Sequence, residues 1–312
     1  IGPEAALPVM EGKAMLFKEF ANIDAFPICI ETQNAENIKN VEEIVKIVKS
    51  ISVVFGGINL EDIAAPRCFE IERRLQDIGI PVFHDDQHGT AIVVVAALLN
   101  AAKVVRKSLA ELRIVISGAG AAGTATAKFL SKFGIKDIIV CDSKGILSKE
   151  RESWRLESHK RELLKFTNKE NVSGFLKDAL KDADVFIGVS APNLLKKEWL
   201  KVMAKKPIIF AMANPIPEIM PADAIKGGAA IVATGRSDFP NQINNALAFP
   251  GFFRGLLDAG AKKVKEEMKV AAAKALSSCI KRPTKERFVP SIFDKGVVRK
   301  IAAAVKKVAL ES

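Results

Sequence analysis

Tyrosine is absent from this chain and tryptophan occurs only twice, so aromatics make up 6% of the 312 residues and are nearly all phenylalanine. No phenol is therefore available here as an acid, and no basic run is interleaved with the aromatic side chains on which nucleic-acid bases stack. The four cysteines, Cys29, Cys68, Cys141 and Cys279, stand far apart. That spacing excludes a zinc site of paired cysteines and a secreted disulfide scaffold, and the thiols read as buried groups of a cytoplasmic protein. No stretch approaches the roughly 20 consecutive apolar residues of a membrane span, and no signal peptide precedes the fold. An initiating methionine is also lacking, and the sequence runs straight into IGPEAALPVMEGK. The expectation is a chain cut from something longer.

What is present is ordinary globular material: 49% hydrophobic and 27% charged residues, a balance that excludes disordered and fibrous classes. Single domains settle at roughly 100–200 residues, so two cores are expected. The net charge of +11 could draw nucleic acid or an anionic membrane. Its lysines are instead spread among acids in stretches such as KDALKDAD and AKKVKEEMKV, the composition of solvated helix faces. Neither nucleic acid nor membrane is expected as a partner.

Helix and strand alternate along the chain. VMEGKAMLFKEFAN has helical apolar spacing, and DAFPICIE has the length of a strand. There follow a helix over 36–51, a strand and its exit in SVVFGGINLED, a helix in PRCFEIERRLQDIG and a strand in IPVFHDD. This alternation predicts parallel strands in an α/β layer. QHGTAIVVVAALLNAAKVV reads as a buried helix joining two lobes. Beyond it LRIVISGAGAAGTATAKFLSKFG and KDIIVCDSKG give strand, glycine turn, helix and strand. ADVFIGVS, KPIIFAMAN and AAIVATGRS supply three more strands, and between Asp142 and Asp184 no convincing further strand is evident. The expected architecture is a doubly wound Rossmann-type parallel sheet with a second α/β lobe for substrate and metal. Its parts are 1–106 as that second lobe, incomplete at its N-terminus, 107–240 as the dinucleotide domain, and 241–312 as C-terminal helices packing back on the first lobe.

Gly118, Gly120 and Gly123 follow the apolar strand Ile114–Ile116 and open the next helix. Such a turn lets the backbone approach a pyrophosphate while the helix N-terminus faces its charge. Asp142, at the end of the second strand, can accept hydrogen bonds from the ribose hydroxyls of NAD and would repel a 2′-phosphate. Ser143 and Lys144 follow it directly, and Lys144 can bind such a phosphate, so NADP stays open.

Glu61 and Asp62 follow one apolar run, and Asp85 and Asp86 follow the next. In a parallel sheet these strand ends lie along the edge where ligands collect. Four converging carboxylates suggest an oxygen-liganded Mg²⁺ or Mn²⁺; from spacing alone, helix capping or surface charge is an equal alternative. His84 and His88 flank the cluster, but their spacing crosses the Asp85–Gly89 turn. They are read as supporting or surface residues, not as a zinc pair.

Six stretches resemble the malic enzyme family in its shorter prokaryotic form: residues 1–28, 55–72, 80–94 (IPVFHDDQHGTAIVV), 118–123 (GAGAAG), 210–219 (FAMANPIPEI) and 233–251 (ATGRSDFPNQINNALAFPG). The resemblance implies oxidative decarboxylation of malate to pyruvate and CO₂ with reduction of NAD or NADP. It implies Lys13 as the base at the C2 hydroxyl, Glu61, Asp62 and Asp86 as metal ligands, and Asp85 as a neighbouring catalytic acid holding lysine and substrate. Asn214 and Asn244 become substrate contacts. Gly118, Gly120, Ala121, Ala122, Gly123, Asp142, Ser190 and Asn214 become cofactor contacts. Lys13 must be neutral to act as a base, and burial together with the metal's charge is expected to lower its pKa. A homodimer or homotetramer is implied as well.

One departure stands against this pattern. The family's tyrosine acid, which protonates the enolpyruvate carbon, belongs to a segment upstream of Ile1, and this chain has no tyrosine. Either that segment is lost or the acid is replaced. The competing readings are an amino-acid dehydrogenase, which has two lobes and a lysine but needs no metal, and a non-catalytic dinucleotide-binding module.

Overall fold

The computed structural model describes residues 2–31, 37–151 and 156–311, and in residues 37–40 the backbone alone. Two compact units emerge, one of residues 1–92, 245–279 and 292–312 and one of residues 93–244 and 280–291.

In the first unit α1 (Pro3–Ala21) opens on a proline, which its first turn accepts because an N–H there has no intrahelical partner. It ends where Asn22 turns left-handed at φ 48° and its N–H bonds back to the carbonyls of Phe17 and Lys18. The buried stripe of α1 is Lys13, Phe17 and Ala21, spaced by four, so a lysine occupies a core position. Next come α2 (Asn37–Ile51), β1 (Ile58–Leu60), α3 (Arg67–Leu75) and β2 (Val82–His84). Glu36, in the helix expected over 36–51, lies outside the described residues. β1 and β2 pair in parallel, Leu60 opposite His84, so the acids that follow each strand leave from the same sheet edge. Val45, Val48, Ile71, Leu75 and Val82 form the core beneath them.

The strand expected in DAFPICIE does not form: among the described residues, 22–31 pair with no strand. Pro27 has no N–H to offer a ladder, Phe26 is exposed, and residues 24–30 line a cavity instead. The turn expected at 85–89 is itself helical, a π-helical turn that runs into α4 (Thr90–Val105). By length and composition Asp85–Val105 would pass for a membrane span, yet most of it is buried in the protein and it begins with two aspartates. It is a core helix.

The second unit holds β3 (Arg113–Ser117), α5 (Ala121–Lys132), β4 (Asp137–Asp142), β5 (Gly145–Ile146), α6 (Ser158–Leu163) and α7 (Leu176–Ala179). It continues with β6 (Val185–Gly188), β7 (Ile208–Ala211), α8 (Pro221–Lys226) and β8 (Ile231–Thr234). The sheet order is β5-β4-β3-β6-β7-β8, and all pairs are parallel except the two-residue edge strand β5. The chain reverses direction across the sheet at β3, so the switch point where such sheets bind ligands lies between β3 and β6. β6 and β7 are buried throughout, as strands covered on both faces must be. The first unit is completed by α9 (Phe249–Asp258), α10 (Glu266–Ser277) and α11 (Val297–Glu311). Phe249 and Phe253 of α9 pack on Phe17 of α1 with ring centres 4.7 and 5.4 Å apart.

Candidate active site

Lys13 is 8% exposed. Its Nζ lies 2.5 Å from Asp85 Oδ2 and 3.1 Å from Glu61 Oε1, and 4.6 Å from the centre of the Phe249 ring. Burial lowers the pKa of Lys13, as expected, but the carboxylates of Asp85 and then Glu61 more than reverse it, and the ammonium is raised to about 12. In this arrangement Lys13 holds its proton, because its two carboxylate partners outweigh desolvation.

The acids are pushed the other way. Burial first and Asp85 second raise Glu61 to about 9, and burial also raises Asp85, which is fully enclosed. Gly89 gives Asp85 its room, since a Cβ there would fall 1.7 Å from Asp85 Oδ1. Asp62 turns left-handed at φ 57°, and its N–H donates to Asp86 Oδ2 at 2.8 Å.

Glu61, Asp62 and Asp86 are therefore neighbours. Even so, among the described residues no three His, Cys, Asp or Glu side chains are arranged around a common point that would hold an ion. Glu61 spends one oxygen on Lys13 and Asp86 spends one on the Asp62 backbone. A divalent cation nonetheless fits the residues present. Glu61 Oε2 and Asp85 Oδ1 are buried oxygens without a hydrogen-bond partner, and hard carboxylate oxygens are the donors Mg²⁺ and Mn²⁺ take. Lys13, Glu61 and Asp62 also line a cavity of about 490 Å³, walled elsewhere by apolar groups such as Met10, Ile44 and Val48.

In the second unit the glycine turn lies at the switch point after β3. Gly118 has φ 117°, and a Cβ on Gly123 would sit 1.8 Å from the Gly118 carbonyl, so the start of α5 packs directly on the turn. Ala121 and Ala122 form the first turn of α5. Ser190 follows β6, with its Oγ 3.0 Å from Ser117 Oγ. Asn214 follows β7 at a cis peptide bond to Pro215 and is exposed; Asn244 closes the continuous run of this unit.

Asp142 is not the free acid its position suggests. Arg151 grips it with two nitrogens at 2.9 and 3.2 Å, Lys160 lies 3.3 Å away, and the Lys144 N–H donates to it at 2.9 Å. Burial opposes its charge, but Arg151 and the Lys144 amide hold its pKa below the usual carboxylate range. With two cations on it, Asp142 no longer presents bare negative charge to a 2′-phosphate.

Besides Arg151 and Lys160, three further residues with site contacts went unread in the sequence. Glu218, fully buried, accepts the N–H groups of Ser190 and Ala213 at 3.0 Å each and so ties the loops after β6 and β7 together. Glu72 and Lys269 back the Asp85–Gly89 turn. A signal for the last two existed, because each is a charged residue on the apolar stripe of its helix: Glu72 stands four after buried Cys68, and Lys269 three before buried Ala272.

The family pattern described as malic enzyme, N-terminal domain, matches residues 1–76, and the one described as malic enzyme, NAD binding domain, matches residues 87–310. The chain belongs to the malic enzyme family. Within that family it is 55% identical to the bifunctional malic/malolactic enzyme of Bacillus subtilis, over 100% of this chain and 75% of that one. It is 53% identical to the NAD-dependent malic enzyme of Geobacillus stearothermophilus, over 99% of this chain and 63% of the relative. The NADP-dependent malic enzyme of Escherichia coli is 43% identical, with 42% of its length covered. The chain thus spans between 42% and 75% of these relatives. The crystal structure of the NAD-dependent malic enzyme of Thermotoga maritima superposes with a TM-score of 0.92 at 51% identity, covering 98% of this chain and 79% of that one. This membership sets aside the amino-acid dehydrogenase reading.

Proposed function

We propose that this malic enzyme chain oxidises malate at C2 with NAD or NADP and decarboxylates the resulting β-keto acid to pyruvate. The observation that carries the reading is the buried Lys13 between Asp85 and Glu61. An alcohol is too weak an acid to lose its proton unaided at neutral pH, so the reaction needs a positioned base. Lys13 fills that role once the charges of Glu61 and Asp85 are taken up by another cation, because they are what keeps it protonated. Asp85, 2.5 Å away and raised by burial, can share the proton Lys13 removes.

Glu61, Asp62 and Asp86 would hold a Mg²⁺ or Mn²⁺ ion. When bound, the cation supplies Lewis-acid chemistry, lowering the cost of negative charge at the C2 oxygen. The glycine turn takes the pyrophosphate of the nucleotide, with Ser190 and Asn214 as further cofactor contacts; Asn214 and Asn244 also offer amides to a substrate carboxylate. A cytoplasmic location and a homodimer or homotetramer are part of the same proposal, supported by family membership and by four free cysteines.

The test is malate-dependent reduction of NAD and NADP with and without Mn²⁺. Turnover that needs Mn²⁺ is expected. Undiminished turnover after removal of all divalent cations would overturn the metal assignment, and tight Mn²⁺ and NAD binding without turnover, even in a chain extended to supply the tyrosine acid, would favour a binding module.

A further inference from the structure

Around the turn that carries Asp85 and Asp86, the first unit holds a chain of polar side chains that the chemistry above does not use. Glu72, on the inner face of α3, spends its carboxylate on one turn. It accepts the His84 N–H at 3.3 Å, Gln87 Nε2 at 3.1 Å and His88 Nε2 at 2.8 Å. From the other side Lys269 of α10 reaches His88 Nδ1 at 3.1 Å and is tied to Glu266 at 2.7 Å. Lys269 is 6% exposed, and Glu72 has a 12% exposed side chain.

The geometry dictates the direction of the bonds. An ammonium can only donate, so Nδ1 of His88 accepts; a carboxylate can only accept, so Nε2 carries the hydrogen and donates to Glu72. Each ring nitrogen of His88 thus has its own partner, Glu72 at Nε2 and Lys269 at Nδ1. The ring is held in the middle of the π-helical turn whose first two residues are Asp85 and Asp86. Such turns are rare and recur at functional sites. Here the turn rests on an ion pair relayed through an imidazole, from α3 on one side to α10 on the other.

We infer that His88, held between Glu72 and Lys269, is a positioning residue that sets the Asp85–Asp86 turn for the divalent cation. The inference rests on the metal reading given above. It assigns work to two charges that would otherwise be costly to bury. Groups that orient metal ligands from behind typically matter by 10–100-fold in metal affinity.

Two substitutions separate the hydrogen bonds from the volume. In His88→Gln the side-chain oxygen can accept from Lys269 and the amide nitrogen can donate to Glu72; in His88→Leu neither bond is possible. The experiment compares Mn²⁺ affinity by titration calorimetry, and amide hydrogen exchange over residues 84–88, in the wild-type chain, both variants and Lys269→Met. His88→Leu is expected to bind Mn²⁺ at least about 10-fold more weakly and to exchange faster over 84–88. NAD affinity should hold, and His88→Gln should restore both properties. Lys269→Met, which keeps the Glu72–His88 bond, should fall between and carries the comparison if His88→Leu fails to fold. Wild-type affinity and exchange in His88→Leu, or equal losses in Leu and Gln, would overturn the inference. A wild-type chain that takes up no Mn²⁺ would defeat the metal reading instead, and the exchange measurement alone would then decide whether His88 sets the turn.

Discussion

Arg151 holds Asp142 through two nitrogens, at 2.9 and 3.2 Å, at the carboxyl end of the second strand of the nucleotide-binding sheet. An acid at that place usually selects NAD by repelling a 2′-phosphate. Paired with Arg151 and approached by Lys160, Asp142 loses that leverage, and the guanidinium is itself a phosphate-binding group.

Arg151→Gln should therefore lower affinity for NADP more than for NAD, reducing the NADP/NAD affinity ratio by about 10-fold, the weight of one charge-assisted hydrogen bond of roughly 1.5 kcal/mol. Titrating both nucleotides into wild type and variant checks it. An unmoved ratio would place Arg151 away from the 2′ position.

Asp86→Ala should leave NAD affinity nearly intact and abolish thermal stabilisation by Mn²⁺, because in the proposed function the nucleotide's phosphates sit on the glycine turn. Thermal shift with each ligand separates the two effects. Unchanged Mn²⁺ stabilisation in the variant removes Asp86 from the ligand set.

Gly89→Ala should destabilise the first unit by about 1–3 kcal/mol, the usual cost of forcing atoms into a filled core. The added Cβ would have to displace the Asp85 carboxylate it overlaps, so the Lys13–Asp85 pair should be disturbed along with stability. Denaturant titration reads the loss; a variant as stable as wild type would mean the turn relaxes freely around that position.

Glu218 provides a pH dependence whose sign is fixed. Burial raises its pKa above the ordinary 4.5, against which the Ala213 and Ser190 amides only partly pull. A folded-state pKa above the unfolded value favours the protonated form in the folded protein, so the stability it contributes is full below pH 4.5 and lost as pH rises through the folded pKa. Relative to Glu218→Gln, wild type should lose stability steadily as pH is raised from 4.5 towards neutrality. Parallel stability curves for the two proteins across that range would contradict the shift.

The sequence made much of this architecture legible because its strongest signals are local. The glycine turn lies between an apolar strand and a helix, and the acid pairs end short apolar runs whose parallel pairing, Leu60 opposite His84, brings them to one edge. Long-range partners were not legible. Arg151 stands nine residues past Asp142 with nothing in the spacing to join them, and Glu218 clamps loops that only the folded sheet brings together. What raises the pKa of Lys13 was not legible for the same reason: burial could be read from its helical stripe, whereas the Asp85 and Glu61 carboxylates that outweigh burial come from two separate strand ends. DAFPICIE had the length and composition of a strand, yet among the described residues it joins no sheet.

The central claim is that Lys13 is the base at the C2 hydroxyl, and Lys13→Arg tests it most directly. Arginine keeps a positive charge for Asp85 and Glu61 but is never deprotonated in a protein, so it can support the pair and cannot accept a proton. Turnover of malate with saturating Mn²⁺ and NAD should fall by at least about 10²-fold, the usual worth of a positioned base, with NAD affinity retained. A variant that turns over within a few-fold of wild type would contradict the account and leave Lys13 as a charge that merely holds two acids in place.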